Sequence, residues 1–204
     1  MTRRLLFFII GLFILSLGIS LMIQANIGAG AWDALNVGLS KTFGLTVGSW
    51  VIIVGVLVML LNAFLLQRKP AYLAIGTIIL IGFFIDFWLI FILVGLTPAD
   101  FILKLLIFLL GLVVASLGIA IYLQAKFPLS PLDNLMIAIS TRFKLKVGVA
   151  KTVAELTGLI LAFLFNGPIG IGTILCTVAI GPLIQLFFPY FERLMGKGIK
   201  ASTD

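Results

Sequence analysis

Six mostly apolar runs dominate the chain, at residues 5–25, 47–66, 71–95, 105–125, 147–165 and 169–191. Each is near the length of about 20 residues that a helix rising 1.5 Å per residue needs to cross a hydrocarbon core. The pattern therefore predicts six transmembrane helices. Two intervening stretches, 26–46 and 126–146, are too polar to cross, yet their apolar residues recur at helical spacing. In the second, Leu132, Leu135, Met136, Ile139 and Phe143 share one face, and in the first Trp32, Leu35, Leu39 and Phe43 do the same. Each predicts a short helix of about 13 residues, 31–43 and 131–143. Ser130-Pro131-Leu132-Asp133 has the form of a helix start, with serine as cap, proline in the first turn and an acid at the third position reaching back. The first stretch has Gly30 where the cap would be.

The two stretches belong to a larger repeat. Gly11, Leu12, Ser16, Leu17, Gly18, Ile19, Gln24, Ala25, Asp33, Leu35, Ser40, Phe43, Leu45, Val47 and Gly48 each meet the same residue type one hundred positions later. The chain is thus a duplication, with repeats at 1–99 and 100–204 in a single membrane domain. Each repeat holds three spans, an odd number, so the second enters the membrane from the opposite face. The expected fold is an all-α polytopic membrane protein of six transmembrane helices in two inverted three-helix repeats, each with a short amphipathic or re-entrant helix.

Charge sets the orientation. With the N-terminus inside, the inner side carries Arg3, Arg4, Arg68, Lys69, Lys126, Arg142, Lys144, Lys146, Arg193, Lys197 and Lys200, and the outer side Lys41 and Lys104. This bias predicts cytoplasmic N- and C-termini in the cytoplasmic membrane. Arg3 and Arg4 before an apolar run also resemble a signal peptide, but the internal copy of residues 11–25 makes the segment part of the fold.

Composition narrows the chemistry. Of 204 residues, 62% are hydrophobic and 10% charged, far from a soluble domain and suited to a lipid bilayer. The net charge of +7 does not point to nucleic acid, because the basic residues are scattered between apolar runs. The chain has no histidine and one cysteine, Cys176, inside an apolar run, so no metal site, cofactor or disulfide is expected.

Candidate solute- or ion-binding residues are the polar groups that the spans and short helices retain. Asp33 and Asp133 form a repeated pair, read either as caps of surface helices or, if the helices are re-entrant, as two carboxylates converging near the midplane. Glu155 sits about 12 Å into the fifth run, where a charge costs about 2.5–3.5 kcal/mol and a function is the default expectation. Lys151, one turn earlier, is its expected partner or snorkels to the surface. Asp86 is deep in the third run, toward the outer face. Gln24 and Gln124 end the first and fourth runs and are expected to hydrogen-bond across the repeat interface. Gly18 and Gly118 suit close helix packing, and Trp32 and Trp50 suit an interfacial belt. Intramembrane proteolysis by paired aspartates is not favoured, since no Gly-x-Gly-Asp run accompanies them, and the chain is not read as an enzyme.

Residues Gly28-Ala29-Gly30-Ala31-Trp32-Asp33, Gly38-Leu39-Ser40 and Val47-Gly48 resemble the first-half pattern of the YczE-like branch of the YczE/YyaS/YitT bacterial membrane proteins. Ser130-Pro131-Leu132-Asp133, Glu155, Gly170-Ile171-Gly172-Thr173 and Ile180-Gly181-Pro182-Leu183 resemble the later motifs of that family. The chain departs from it at Ala31, where the family has proline, and at Pro70-Ala71-Tyr72-Leu73-Ala74, where the family has a glycine-rich motif. Backbone approach by a ligand is therefore expected only at Gly170, Gly172 and Thr173. The resemblance implies a cytoplasmic-membrane protein and leaves the activity open.

The reading these features support best is a transporter or permease for a small polar or ionic solute. The alternative is a non-transporting accessory or regulatory protein that binds another membrane component. A midplane cavity lined by the carboxylates separates the first from the second, which needs only a solid bundle with an exposed groove. Homo-oligomerisation is compatible with either.

Overall fold

The computed structural model describes residues 2–127 and 130–200, with side chains through 194. The described chain is helical throughout, in the order α1 (Thr2–Ala25), α2 (Ala31–Phe43), α3 (Val47–Leu66), α4 (Ala74–Asp86), α5 (Phe101–Gln124), α6 (Pro131–Phe143), α7 (Val147–Leu164) and α8 (Ile171–Lys200). A π-helical segment, Phe87–Ile92, continues α4. Six of these helices are long and apolar enough to cross a membrane, and they coincide with the six runs. Helices α2 and α6 occupy the two polar but periodic stretches, with the bounds expected from their spacing.

The centre of the molecule is the crossing of α1 with α5. A Cβ on Gly11 would meet the backbone of Tyr122 at 2.5 Å, one on Gly18 that of Ala115 at 2.2 Å, and one on Gly118 that of Leu15 at 2.3 Å, while one on Gly111 would lie 2.9 Å from the Met22 side chain. Residue numbers rise along one helix as they fall along the other, so the two run antiparallel. The contacts are also reciprocal under a shift of one hundred: 11 with 122 mirrors 111 with 22, and 18 with 115 mirrors 118 with 15. Reciprocity of this kind is the signature of a two-fold relation. Only glycine at these points lets the backbones touch.

The remaining helices arrange themselves around this pair. In each half the first and last long helices pack together, α1 on α4 and α5 on α8, whereas the short helices cross over, α2 packing on α7 and α6 on α3. Two apolar clusters result. One joins Phe8, Leu12, Met22, Phe108, Leu112 and Tyr122 of α1 and α5 to Cys176 of α8, and the other joins Leu35, Val54, Leu135, Ile139 and Ala154 of α2, α3, α6 and α7.

The halves differ in how their outer helices pack. The first turn of α3 is pressed against α4: a Cβ on Gly48 would overlap the Gly82 carbonyl, and the Asp86 carboxylate accepts hydrogen bonds from the Gly48 amide, at 2.7 Å, and from the Thr46 hydroxyl. A carboxylate at a helix N-terminus is well placed against the dipole and its free N–H groups. In the second half α7 and α8 stay largely apart, and Gly148 has open space where a side chain would be.

Candidate functional site

Between the two apolar clusters lies a cavity of about 230 Å³. Its polar lining comes from both halves: Asp33 and Asn36 of α2, Tyr122 of α5, Asp133 of α6, and Lys151 and Glu155 of α7. The repeated aspartates therefore face one space, each from the first turn of a short helix. Helices lying flat on opposite surfaces would hold them about a hydrocarbon thickness apart, on the order of 30 Å. Local sequence explains how α2 reaches inward. Gly28, at φ 115°, turns the chain, the Gly172 amide donates to the Ile27 carbonyl at 2.9 Å, and the Ala29 amide to that of Pro168 at 3.2 Å. Seven residues of α2 from Ala31 to Leu39 are buried, more than one face of a surface helix would allow.

Gly170, Gly172 and Thr173 thus serve a different purpose from the one expected. Their close backbone approach is to residues 27 and 28: a Cβ on Gly170 would lie 2.5 Å from the Ile27 carbonyl, and one on Gly172 2.8 Å from that of Gly28. They seat the segment that leads into α2 and present no backbone to the cavity.

The two aspartates have unlike surroundings. Asp133 accepts a hydrogen bond from the Tyr122 hydroxyl at 2.7 Å, and so is held across to α5 instead of reaching back to its own cap. Ser130 caps α6 alone, its hydroxyl accepting from the Leu132 amide at 3.3 Å, with Pro131 in the first turn. The residue equivalent to Tyr122 in the first half is Met22, which has no hydroxyl. Asp33 is left without such a donor and folds over Gly30, where a Cβ would lie 2.8 Å from its Oδ2. One turn on, Asn36 is 2% exposed, and its Oδ1 accepts no hydrogen bond among the described residues.

Glu155 is the ninth of the 18 residues of α7. It couples electrostatically to Asp33, Asp133 and Lys151, and Lys151 also acts on Asp133. The expected pairing of Lys151 with Glu155 does not close into an ion pair among the described residues. Lys151 lines the cavity and is also exposed, on the helix α7 that stays largely apart from α8.

Other candidates lie elsewhere. Asp86 is the cap of α3 and lines no part of the cavity. Gln24 donates to the Leu93 carbonyl at 2.8 Å and Gln124 to that of Phe188 at 3.4 Å, so each bonds within its own half and neither bridges the halves as expected. Trp50 is hydrogen-bonded to the Gly44 carbonyl near an exposed helix end. Trp32, expected in an interfacial belt, instead lines the cavity and packs on Gly158, whose Cβ would lie 2.9 Å from the indole. Tyr122 and Asn36 carry no motif that singles them out in the sequence; their one available signal is a break in the repeat, Met22 against Tyr122 and Asn36 against Met136. Among the described residues no group of histidine, cysteine, aspartate and glutamate could hold a metal ion.

Residues 2–189 match the family of unknown function DUF6198, which covers nearly the whole chain. The chain belongs to this family. It is 44% identical to the uncharacterized protein YyaS of Bacillus subtilis over 184 residues, 90% of this chain and 92% of the relative. It is 34% identical to the uncharacterized membrane protein YczE of the same organism over 198 residues, 97% and 91% of the two chains. An uncharacterized protein of Haemophilus influenzae is 27% identical over 187 residues, 89% and 81% of the two. No solved structure matches. Membership of the DUF6198 family agrees with the resemblance read from the motifs, and the name of the YczE relative agrees with a membrane protein.

Proposed function

We propose that the protein moves a small polar or ionic solute across the cytoplasmic membrane, with the cavity between its halves as the solute site. The observation that carries this reading is the convergence of Asp33, Asp133 and Glu155 on one space. A charged group deep in a bilayer costs about 2.5–3.5 kcal/mol on insertion scales, and a solid bundle would gain stability by replacing it. Carboxylates collected around an opening are instead what a solute pathway retains.

The asymmetry of the halves supports the same reading. Antiparallel α1 and α5 form the axis of two inverted repeats, and the repeats stand in unlike arrangements, α3 closed on α4 and α7 apart from α8. Exchanging the arrangements would close the gap beside Lys151 and open one beside Asp86, which is alternating access by repeat exchange. With both termini cytoplasmic, as the lysine and arginine bias requires, the start of α7 is on the inner side and this state opens inward.

Purified protein in proteoliposomes, supplied with a panel of small cations, anions and neutral polar solutes under imposed proton and sodium gradients, tests the reading. Uptake of at least one solute class, lost in Glu155→Gln, is expected. Failure of the whole panel, with the protein instead co-purifying with a fixed membrane partner, would favour an accessory role.

A further inference from the structure

Asp133 is already engaged by Tyr122, but Asp33 has no hydroxyl donor of that kind and Asn36 buries an acceptor without a partner among the described residues. A buried, unsatisfied carbonyl oxygen is costly and calls for a donor from outside the chain. Asp33 and Asn36 are one turn apart on α2, so one ligand group can reach both.

Charge points the same way. With all four groups ionised, three carboxylates and the Lys151 ammonium leave the cavity two negative charges in excess. The N-termini of α2 and α6, each worth about half a positive charge, offset one of them. A monovalent cation, or a proton on one carboxylate, completes the balance, and an anion would worsen it. Most of the remaining lining is apolar, including Ile19, Val54, Ile81 and Ile119, and the Trp32 ring also lines the cavity. Such a surface suits a hydrocarbon body, and an indole face attracts a cation.

From this juxtaposition we infer that the cavity binds a protonated amine with an apolar body, its N–H groups donating to the Asp33 carboxylate and Asn36 Oδ1. The inference rests on the reading of the cavity as a solute site and names the chemical class that site takes. Glu155 adds to the negative field of the cavity, and Lys151, one turn away on α7, offsets part of it.

Binding is tested on purified full-length protein in detergent by thermal shift and tryptophan fluorescence, independently of transport. The probes are 2-phenylethylammonium, its N-trimethylated analogue without N–H donors, phenylacetate and 2-phenylethanol. Saturable binding is expected for 2-phenylethylammonium, with the trimethylated cation weaker and the anion and alcohol inactive at the same concentration. Asp33→Asn should weaken binding about tenfold or more, and Asn36→Leu several-fold. Preference for phenylacetate, equal binding of all four probes, or affinity unchanged in both variants would overturn the proposal. Should Asp33→Asn fail to fold, the ranking of probes on the unaltered protein and the Asn36→Leu variant still decide. If the amine binds but no solute crosses in proteoliposomes, the site stands and the transport reading falls. If a solute of another class is transported and the amine does not bind, transport stands and this assignment falls.

Discussion

Replacing Gly18 by alanine tests the central crossing, because the added methyl has nowhere to go. Its Cβ would lie 2.2 Å from the Ala115 nitrogen and 2.6 Å from the Gly111 carbonyl oxygen. Ordinary carbon contacts begin near 3.5 Å, so α1 and α5 must separate by roughly 1 Å, and the obstacle is backbone that has no rotamer to change. Overpacking of this kind costs about 1–3 kcal/mol, and losing contacts along the rest of the pair moves the value toward the upper end. Helix propensity works against it, since alanine is favoured over glycine by about 1 kcal/mol. The net expectation is destabilisation by about 1–2 kcal/mol. Gly118→Ala, against the Leu15 nitrogen at 2.3 Å, should cost a similar amount by the two-fold relation. The double variant should cost less than the two together, because one widening of the same crossing admits both methyls. Gly181→Ala is the control: it has open space and should gain a few tenths of a kcal/mol or change nothing. Cys176 provides the assay, being the chain's one cysteine and buried, so a thiol-reactive fluorogenic dye reports unfolding in detergent as temperature rises. If Gly18→Ala and Gly181→Ala melt together, or if Gly18→Ala costs nothing while Gly118→Ala is severe, the close reciprocal crossing is wrong.

Removing one hydroxyl in Tyr122→Phe should destabilise by about 1.5–3 kcal/mol, since a hydrogen bond to a buried carboxylate is lost while the ring still fills its place; an unchanged melting temperature would mean that Asp133 has another donor. Asp86→Asn should lower stability by about 0.5–2 kcal/mol through the cap of α3, with solute uptake kept per folded molecule; complete loss of uptake in a folded variant would place Asp86 in the pathway. Glu155→Gln should impair uptake more than Glu155→Asp and leave the protein folded, and a fully active Glu155→Gln would remove Glu155 from the mechanism. Single cysteines at Lys41 and Asp100, in a Cys176→Ser background, should label from outside, and those at Lys69 and Lys144 only after permeabilisation; outside labelling at Lys144 would overturn the inverted arrangement.

The six spans, the two short helices and the duplication were legible in the order of residues because each depends on local periodicity or on identity at a fixed offset. A bilayer enforces helical spans, since every backbone group must bond within its own segment. The same order of residues drew attention to Asp33, Asp133 and Glu155, whose cost in lipid marks them whatever surrounds them. It could not say that the aspartates line one cavity. That follows from α2 packing on α7 and α6 on α3, contacts between halves more than one hundred residues apart for the first of these pairs. Nor could it separate two carboxylates at identical repeat positions, one held by Tyr122 and the other facing the cavity above Gly30. The difference lies at Met22, on a neighbouring helix, and which helix neighbours which is a matter of packing. Trp32, Asn36, Gln24 and Gln124 teach the same lesson, because a residue's type states what it can bond or bury, and only the assembled helices decide what stands opposite. The gap between α7 and α8, against the closed pair α3 and α4, is a property of one arrangement of nearly equal halves, and similar residues at both ends of a repeat cannot specify which half is open.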